Sequence, residues 1–315
     1  MTIVLLYCKI ISTLRLEYKT ERQVFLMLSD SHIHLSHPLF DGEVTCVNTE
    51  GSDETLVTAN RDVLVDKMKK AGIAFCVEPA IELESNARIL QYAGRYSDFL
   101  YPAIGLHPTR SFQTKWKYRK ELEDLSKNTS VVAIGELGLD YHYERKKQHR
   151  MKQMAWFVWQ LYLADQRQLP VILHIRLADR DAIRILRCFK KKLHGGVCHC
   201  FCGTAELAKI YTGEFGLLLG IGGSLLQKNQ KELEEAVRET PLEFLLLETD
   251  APYIKPKKPE NVSGKKWKKA RNTSLIIPDI AERIAKIKGI SVSEVEKVTT
   301  ENARKLFGIQ DYTDG

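Results

Sequence analysis

From Leu28 onward, short runs of leucine and β-branched residues alternate with amphipathic segments of helical spacing. The apolar runs predict eight strands, over Leu28–His34, Ile73–Val77, Leu100–Leu106, Val131–Glu136, Pro170–His174, Gly196–Phe201, Phe215–Ile221 and Phe244–Thr249. The amphipathic segments predict helices over Asn60–Ala71, Leu83–Arg95, Lys115–Leu125, Arg145–Gln168, Ala178–Lys192, Thr204–Tyr211, Gln227–Glu239, Ile277–Lys288 and Ser291–Phe307. Strands that alternate with helices in this way predict a parallel sheet. A capping spacing at Ser291 and a stop at Gly308 mark the ends of the last helix.

Eight strand–helix units in roughly 290 residues fit a (β/α)8 barrel, for which about 250 residues is typical. An open doubly wound sheet is the alternative, but its first strand would usually lead into a glycine-rich phosphate loop. Here the first strand ends in His32-Ile33-His34. We therefore predict an α/β fold, a single-domain TIM barrel over residues 27–309. Residues 1–26 are expected to form an N-terminal extension before a natural start at Met27, and residues 310–315 a C-terminal tail.

Two long segments interrupt the alternation of strands and helices. Residues 36–58 are polar and follow the first strand, and residues 255–271 are rich in lysine, contain Trp267 and follow the last strand. Because both segments follow strands, a barrel places them on its catalytic face. The lysine-rich segment is expected either to follow a nucleic-acid backbone, with Trp267 stacking a base, or to form a solvated mobile loop.

The composition restricts the class of protein only moderately. A net charge of +7 and a pI near 8.9 fit either a well-solvated surface or an anionic partner such as nucleic acid. Seven cysteines at irregular spacing favour a reduced, cytoplasmic protein over a disulfide scaffold. No run approaches the ~18 apolar residues of a membrane span. The short apolar run at the N-terminus is broken by Lys9, so no signal peptide is expected.

Five of the predicted strands end in residues that bind metal ions. The motifs are Asp30-Ser31-His32-Ile33-His34, Gly135-Glu136-Leu137-Gly138, Leu173-His174-Ile175-Arg176, Cys198-His199-Cys200-Phe201 and Glu248-Thr249-Asp250. Residues two apart on a strand share a face, so His32 and His34 can bind the same metal ion. Asp30 shares that face and is expected to fix the tautomer of one histidine from behind. The repetition of such motifs at strand ends predicts a single divalent-metal site.

The same alternation sorts the remaining candidates in these motifs. A buried Glu136 needs a cation, which is either a metal ion or an arginine. His174 and Arg176 should both face the pocket, where Arg176 can bind a phosphate or a pocket carboxylate. If His199 points inward, its neighbours Cys198 and Cys200 point outward as small buried residues, which argues against a cysteine zinc site.

Two positions stay open on the residues alone. Glu248 and Asp250 share a face, and alternation does not say which of the two binds a metal or takes a proton from water. His107 closes the motif Gly105-Leu106-His107-Pro108 on the same rim, where it can contact a substrate phosphate or be a plain structural histidine.

Taken together, these motifs resemble those of the TatD family of metal-dependent deoxyribonucleases. The resemblance extends from Met27 to Gly308 and includes Gly135-Glu136-Leu137-Gly138-Leu139-Asp140-Tyr141, Leu169-Pro170-Val171-Ile172-Leu173-His174-Ile175-Arg176, Leu247-Glu248-Thr249-Asp250-Ala251-Pro252-Tyr253 and Thr300-Glu301-Asn302-Ala303-Arg304-Lys305-Leu306-Phe307-Gly308. The chain departs from the family pattern at Ser36, where members often carry aspartate, and at Cys202, where many carry serine. Neither position is a ligand in the family pattern.

The resemblance implies a site with two divalent metal ions. By the family pattern His32, His34 and Asp250 bind one ion, His174 and His199 bind the other, and Glu136 bridges them. It thereby favours Asp250 over Glu248. It also implies magnesium-dependent hydrolysis of DNA, of the 3′-to-5′ exonuclease type on single strands.

These expectations define a mechanism and its alternatives. Two metal ions would hold the phosphodiester and acidify a water molecule, with Glu136 and Asp250 as catalytic residues. His107 and Arg176 would stabilise phosphate charge, and Tyr141 would stack or hydrogen-bond. Mg²⁺ or Mn²⁺ is expected in activity, and Zn²⁺ is an alternative in the purified protein. The expected partner is DNA, with no membrane and no obligate protein partner. The alternatives are a hydrolase of a small cyclic amide, lactone or nucleobase, and a non-catalytic nucleic-acid-binding barrel.

Overall fold

The computed structural model describes residues 28–49, 52, 55–142 and 146–310 of the 315-residue chain. The expected extension over residues 1–26, the expected start at Met27 and residues 311–315 of the expected tail lie outside the described residues. None of the helices in these ranges is both long and apolar enough to cross a membrane.

Eight parallel strands form one sheet that curls into a barrel. In chain order the strands of the described ranges are β1 (Leu28–Asp30), β2 (Val44–Val47), β3 (Leu56–Ala59), β4 (Ile73–Pro79), β5 (Leu100–Ile104), β6 (Ala133–Asp140), β7 (Val171–Arg176), β8 (Gly196–Cys198), β9 (Leu218–Ile221) and β10 (Leu245–Leu247). The barrel order is β1-β4-β5-β6-β7-β8-β9-β10. Its first and last strands meet where the Ser31 N–H donates to the Leu247 carbonyl over 2.9 Å and Ile33 pairs with Ala251. The predicted barrel and its eight strands are confirmed, with shifted strand ends.

Helices lie between the barrel strands. The α-helices of the described ranges are α1 (Arg61–Lys70), α2 (Leu83–Arg95), α3 (Arg119–Leu125), α4 (Lys147–Arg167), α5 (Asp179–Phe189), α6 (Ala205–Lys209), α7 (Lys231–Glu239), α8 (Gly264–Lys269), α9 (Ile277–Lys288) and α10 (Val292–Phe307). Short 3₁₀ turns lie at Pro38–Phe40, Pro108–Arg110, Trp116–Tyr118, Lys190–Lys192, Gly223–Leu226, Leu242–Phe244 and Ser274–Ile276, and a π-helical turn at Ile210–Glu214. The predicted cap is confirmed, because the Ser291 hydroxyl accepts the Glu294 N–H over 3.1 Å, and Gly308 ends α10 at φ +66°.

An apolar floor fills the barrel beneath the C-terminal ends of its strands. In β7, Leu173 joins the layer between sheet and helices, whereas Ile172 belongs to the barrel interior. The interior is completed by Phe75, Val77, Ala103, Ala133, Val197 and Leu246, with Ala303 and Phe307 of α10. Because side chains alternate along a strand, His174 and Arg176 share the face of Ile172 and stand above this floor.

The two segments that interrupt the alternation carry secondary structure that the sequence did not predict. In the first segment, β2 and β3 pair as an antiparallel hairpin whose Cys46, Val47 and Val57 are buried. The second segment contains α8. Backbone hydrogen bonds join the two segments, since the Arg271 N–H donates to the Thr45 carbonyl over 2.9 Å and the Val47 N–H to the Arg271 carbonyl over 2.8 Å. Both segments follow barrel strands, as expected.

The backbones of β6 and β7 approach each other closely at Gly138. Its φ is +142°, and a Cβ placed on it would lie 2.1 Å from the His174 carbonyl oxygen. We expect Gly138→Ala to lower the free energy of unfolding by about 2–4 kcal/mol, because backbone has to move to admit the methyl group. The matched control is Gly94→Ala in α2, where a Cβ meets nothing within 4 Å. That change should raise stability by about 0.5–1 kcal/mol. Urea unfolding followed by circular dichroism measures both, and a Gly138→Ala protein as stable as the parent would contradict this packing.

Candidate metal centre

A cavity of about 870 Å³ opens at the C-terminal ends of the barrel strands. The strand ends bring the predicted histidines and carboxylates together there, since His34, His107, Glu136, His174, His199 and Asp250 all line it. The sixth predicted ligand, His32, is fully buried and contacts His34 and His199. The repetition of polar strand ends in the sequence thus corresponds to one cluster in space.

Glu136 lies at the centre of this cluster and is only 2 % exposed. Its Oε1 lies 3.5 Å from the Nε2 atoms of both His32 and His34. Its Oε2 lies 3.0 Å from His199 Nε2 and 3.4 Å from His174 Nδ1. Each carboxylate oxygen therefore faces its own pair of imidazoles.

The first pair of imidazoles converges with an aspartate. The Nε2 atoms of His32 and His34 are 3.3 Å apart. Asp250 Oδ1 lies 3.3 Å from the His34 nitrogen and 3.7 Å from the His32 nitrogen. Nitrogen and carboxylate ligands gathered this closely match the donor set of a divalent metal ion.

The second pair of imidazoles faces the other oxygen of Glu136. His174 Nδ1 and His199 Nε2 are 2.9 Å apart. His107 stands beside them with its Nε2 3.7 Å from Glu136 Oε2, so its position also allows it to join a metal-binding group. A hydrogen bond of His107 argues against metal binding by this residue, because its Nδ1 accepts the Thr109 N–H over 3.2 Å. The proton then sits on Nε2, which becomes a donor toward the cavity.

Groups behind the cluster lie against the outer nitrogens of three histidines, and hydrogen bonds orient two of them, His34 and His174. His34 Nδ1 lies 3.2 Å from the Pro79 carbonyl oxygen, which can only accept, so Nδ1 carries the proton and Nε2 keeps its lone pair. His174 Nε2 lies 3.1 Å from Asp140 Oδ2. His199 Nδ1 lies 3.7 Å from Glu248 Oε1. Such partners fix the orientation and raise the basicity of metal-binding histidines.

Asp140 is the residue that the sequence reasoning missed. It stands four positions after Glu136 on β6, and the even spacing could have placed both on one face. The prediction that Asp30 orients a histidine ring is wrong. Asp30 accepts hydrogen bonds from the His32 backbone N–H, the Thr249 N–H and hydroxyl, and the Ser274 hydroxyl. Burial raises the pKa of Asp30 to about 7 despite these donors.

The charged side chains of the cluster shift one another's pKa values. Burial would raise the pKa of Glu136, but the neighbouring His199, His32 and His107 outweigh it and hold that pKa well below its usual range. For His199, burial would lower the pKa, but Glu136 outweighs burial and raises it well above the ordinary value. Burial and the charge of His174 lower the pKa of His107 to about 3. The buried Nδ1 of His32 has no hydrogen-bond partner among the described residues. Carboxylates and imidazole nitrogens that face one another this closely are the donor set of a divalent cation.

Strand alternation did not decide whether Glu248 or Asp250 binds a metal ion. In the structure the two carboxylates lie in different surroundings. β10 ends at Leu247, and Asp250 adopts φ +52°, which carries its carboxylate to His34 at the cavity wall. Glu248 is fully buried behind His199, where its Oε1 accepts the Cys200 N–H over 2.6 Å. The two carboxylates therefore occupy different places.

The cysteines beside His199 are placed differently from one another. Cys198 is buried in the apolar layer between sheet and helices, as predicted, although it also reaches the lining of the cavity. The prediction for Cys200 is wrong, because this residue lines the cavity together with Cys202. β8 ends at Cys198 and Cys200 has φ +48°, so strand alternation no longer applies at Cys200.

The three residues predicted to contact substrate lie in different surroundings. His107 and the exposed Arg176 line the cavity. Tyr141 lies outside the lining, with its hydroxyl donating to Asp181 over 2.9 Å and the Arg150 guanidinium 4.2 Å above its ring. Tyr253 lines the cavity instead, with its ring against His34, and it belongs to the motif that carries Asp250.

A barrel with converging histidines and carboxylates at the C-terminal ends of its strands defines a class of metal-dependent hydrolases. The family model described as TatD-related DNase matches residues 29–308. The chain is 32 % identical over 283 residues to an uncharacterized metal-dependent hydrolase, YabD of Bacillus subtilis, covering 90 % of this chain and all of the relative. It is 32 % identical over 247 residues to a protein named 3′-5′ ssDNA/RNA exonuclease TatD from a Rahnella species, covering 78 % and 91 %.

Solved structures agree with these sequence comparisons. The TatD homologue YjjV of Escherichia coli superposes with a TM-score of 0.74 at 24 % identity, covering 91 % of this chain and all of that one. A TatD-family hydrolase of Entamoeba histolytica gives 0.73 at 26 % identity, covering 89 % and 98 %. The chain belongs to the TatD family and is a metal-dependent hydrolase.

Asp140 should set metal affinity through His174. Asp140→Asn keeps the shape of the side chain but removes the negative charge beside His174 Nε2, so we expect metal affinity to fall about 10–100-fold. Calorimetric titration of the chelator-treated protein with Mn²⁺ measures the change. The control is Asp98→Asn, an exposed residue in the loop before β5, at the opposite end of the barrel. Equal affinities in the Asp140→Asn protein and the control would contradict this role.

Proposed function

We propose that the chain is a two-metal phosphodiesterase that shortens single-stranded DNA from its 3′ end. This proposal rests on the position of Glu136, because its two carboxylate oxygens face two separate pairs of imidazoles. A carboxylate that lies between two sets of ligands can bind two metal ions, one through each oxygen. The nuclease name of some relatives supports a nucleic-acid substrate, and other relatives are named only as hydrolases.

Each proposed ion has its own protein ligands. His32, His34 and Asp250 would hold one ion and His174 and His199 the other, with Glu136 common to both. When bound, such ions supply Lewis-acid polarisation of the phosphate and lower the pKa of water. We expect Mg²⁺ or Mn²⁺ in activity, with Zn²⁺ as an alternative in the purified protein. A cytoplasmic location stays a prediction.

Asp250 is the residue placed to accept a proton from the attacking water. Its side chain is 15 % exposed, against 3 % for Glu136, so an oxygen of Asp250 can reach solvent in the cavity. Burial would raise the pKa of Asp250, but His34, 3.3 Å away, and the neighbouring imidazoles of His32 and His199 outweigh burial and lower it. The carboxylate is therefore ionised and able to act as a base, whereas enclosed Glu136 serves as a ligand.

Arg176 and His107 are the residues proposed to stabilise the phosphate charge that the metal ions do not neutralise. The guanidinium of Arg176 lies on the exposed rim of the cavity, where its fork of donors matches two phosphate oxygens. His107 is neutral because its pKa lies at about 3, and its Nε2 proton points toward Glu136 and the cavity. It can donate to a phosphate oxygen without adding a repelling positive charge to the ions. Tyr253, which lines the same wall, replaces Tyr141 as the aromatic residue that contacts the substrate.

The proposal is tested by degradation of end-labelled single- and double-stranded DNA with Mg²⁺, Mn²⁺ or Zn²⁺. We expect loss of label from the 3′ end of single strands, and a chelator should abolish it. His174→Ala and Glu136→Ala should each reduce the rate by about 10²–10³-fold or more, because both change the groups around the reacting phosphate. His194→Ala, an exposed histidine before β8 at the opposite end of the barrel, should leave the rate unchanged.

Two outcomes would overturn the proposal. Equal activity in the Glu136→Ala and His194→Ala proteins would show that the cluster is not the reacting centre. Hydrolysis of a small neutral amide or lactone that is insensitive to salt, without any degradation of DNA, would assign the site to a different substrate class.

A further inference from the structure

A second cavity, of about 780 Å³, lies between the two segments that interrupt the barrel pattern. The hairpin segment supplies Asn48, Ser52 and Thr55, and the lysine-rich segment supplies residues 256–261 and Trp267. The apolar part of the lining comprises Leu225, Leu226, Pro256, Pro259 and Trp267, and the charged part comprises Lys257, Lys258, Arg283, Glu260 and Asp279. The proposed reaction uses none of these residues.

The second cavity begins where the metal cavity ends. Ser224, Tyr253 and Ile254 line the metal cavity, and the residues that follow them in the chain, 225–227 and 256–258, line the second one. Hydrogen bonds hold the two stretches together, from the Lys257 N–H to the Leu226 carbonyl over 3.3 Å and from the Gln227 amide to the Lys255 carbonyl over 3.0 Å. Four residues span at most about 14 Å, so Lys257 lies within that distance of Tyr253.

The positive charge of the protein is concentrated in the lysine-rich segment, whose Lys257 and Lys258 line this second cavity. Residues 255–271 contain seven lysines, one arginine and one glutamate, a net charge of +7 that equals the net charge of the whole chain. Six of these lysines are exposed and form no ion pair within the described part of the chain; they are Lys257, Lys258, Lys265, Lys266, Lys268 and Lys269.

These lysines stand on an ordered support. The Lys255 ammonium donates to the carbonyls of Trp267 and Ala270 and lies 5.2 Å above the Trp267 ring. Arg271 is joined to the hairpin by the two backbone hydrogen bonds described above. These contacts anchor the lysine-rich segment at both ends, at Lys255 and at Arg271. The Trp267 ring packs on the core with one face beneath Lys255, so it serves as a wall of the cavity.

We propose that the second cavity and its lysines bind the phosphate backbone of single-stranded nucleic acid upstream of the nucleotide at the metal centre. This inference rests on the proposed function, in which the 3′ end occupies the metal cavity. The chain of nucleotides then leaves past Tyr253 in the 5′ direction and crosses the shared wall. Exposed ammonium groups beside an apolar wall match phosphates beside bases, the combination that binds single strands without sequence preference.

Equilibrium binding without hydrolysis tests this path directly. The probe is a fluorescent oligothymidylate of about 20 nucleotides in EDTA, titrated over a range of salt concentrations. The triple variant Lys265→Gln, Lys268→Gln and Lys269→Gln should reduce the slope of log affinity against log salt by about 2, since each single-strand phosphate contact contributes about 0.7. At about 0.1 M salt its affinity should fall about tenfold or more.

The matched control removes the same formal charge from the opposite end of the barrel. Lys190→Gln, Lys191→Gln and Lys192→Gln change three exposed lysines in the turn between α5 and β8. This control should keep the affinity and salt slope of the parent. An unchanged slope in the Lys265/Lys268/Lys269 variant, or an equal loss in both variants, would overturn the inference. So would a parent protein that binds phosphatidylserine vesicles through these lysines but binds no oligothymidylate.

Hydrolysis separates this inference from the proposed function. With metal present, the Lys265/Lys268/Lys269 variant should hydrolyse a thymidine dinucleotide at the parent rate, because that substrate fits within the metal cavity. On the long oligothymidylate its kcat/KM should fall about tenfold. A parent protein that binds the long strand in EDTA but hydrolyses no DNA would overturn the proposed function, while the salt slopes would still decide the inference. Equal losses on dinucleotide and long strand would overturn the inference alone.

Discussion

The buried carboxylate of Glu136 is the constraint on which the rest of the centre depends. A carboxylate that is 2 % exposed requires compensation by positive charge or strong donors, because its transfer from water is costly. The barrel meets this requirement at the end where eight strands converge, so that imidazoles from β7 and from the residues after β1 and β8 reach one oxygen or the other. The same burial excludes bulk solvent and strengthens every electrostatic interaction within the cluster.

A second buried carboxylate connects this centre to the closure of the barrel. Asp30 ends β1 and accepts hydrogen bonds from Thr249, beyond β10, and from Ser274. The first and last strands are thereby held together at the level where His32, His34 and Asp250 emerge. Asp30 therefore acts on the positions of these ligands through the backbone. An isosteric Asp30→Asn change would retain an acceptor but replace the other carboxylate oxygen by a donor, facing hydroxyl groups that already have to donate.

The sequence predicted the barrel because eight apolar runs alternate with amphipathic helical segments along the chain, although period-two alternation is interrupted inside β6 by a register shift between Gly135 and Leu137. It predicted most of the centre because four histidines and Glu136 lie on or directly after such strands. The alternation of side chains no longer applies beyond the last residue that is hydrogen-bonded in the sheet. Cys200 and Asp250 lie beyond such strand ends, and their φ angles of +48° and +52° turn their side chains away from the directions that alternation predicts. The choice of Asp250 over Glu248 therefore required the family resemblance. The hairpin was missed because its strands are only four residues long and lie within a polar segment, and α8 was missed because Trp267 is the only apolar side chain among its six residues.

Whole-chain charge is a poor guide to what this protein attracts, and the fold shows why. A net charge of +7 over 315 residues is compatible with an ordinary solvated surface, but residues 255–271 alone carry that net charge, so the remainder is neutral overall. At physiological ionic strength charges are screened beyond about 8 Å, so an approaching anion responds to the local cluster and not to the chain average. The cluster follows β10 and begins five residues after Asp250. An anionic polymer would therefore meet a local cluster of positive charge on the face that holds the metal ligands.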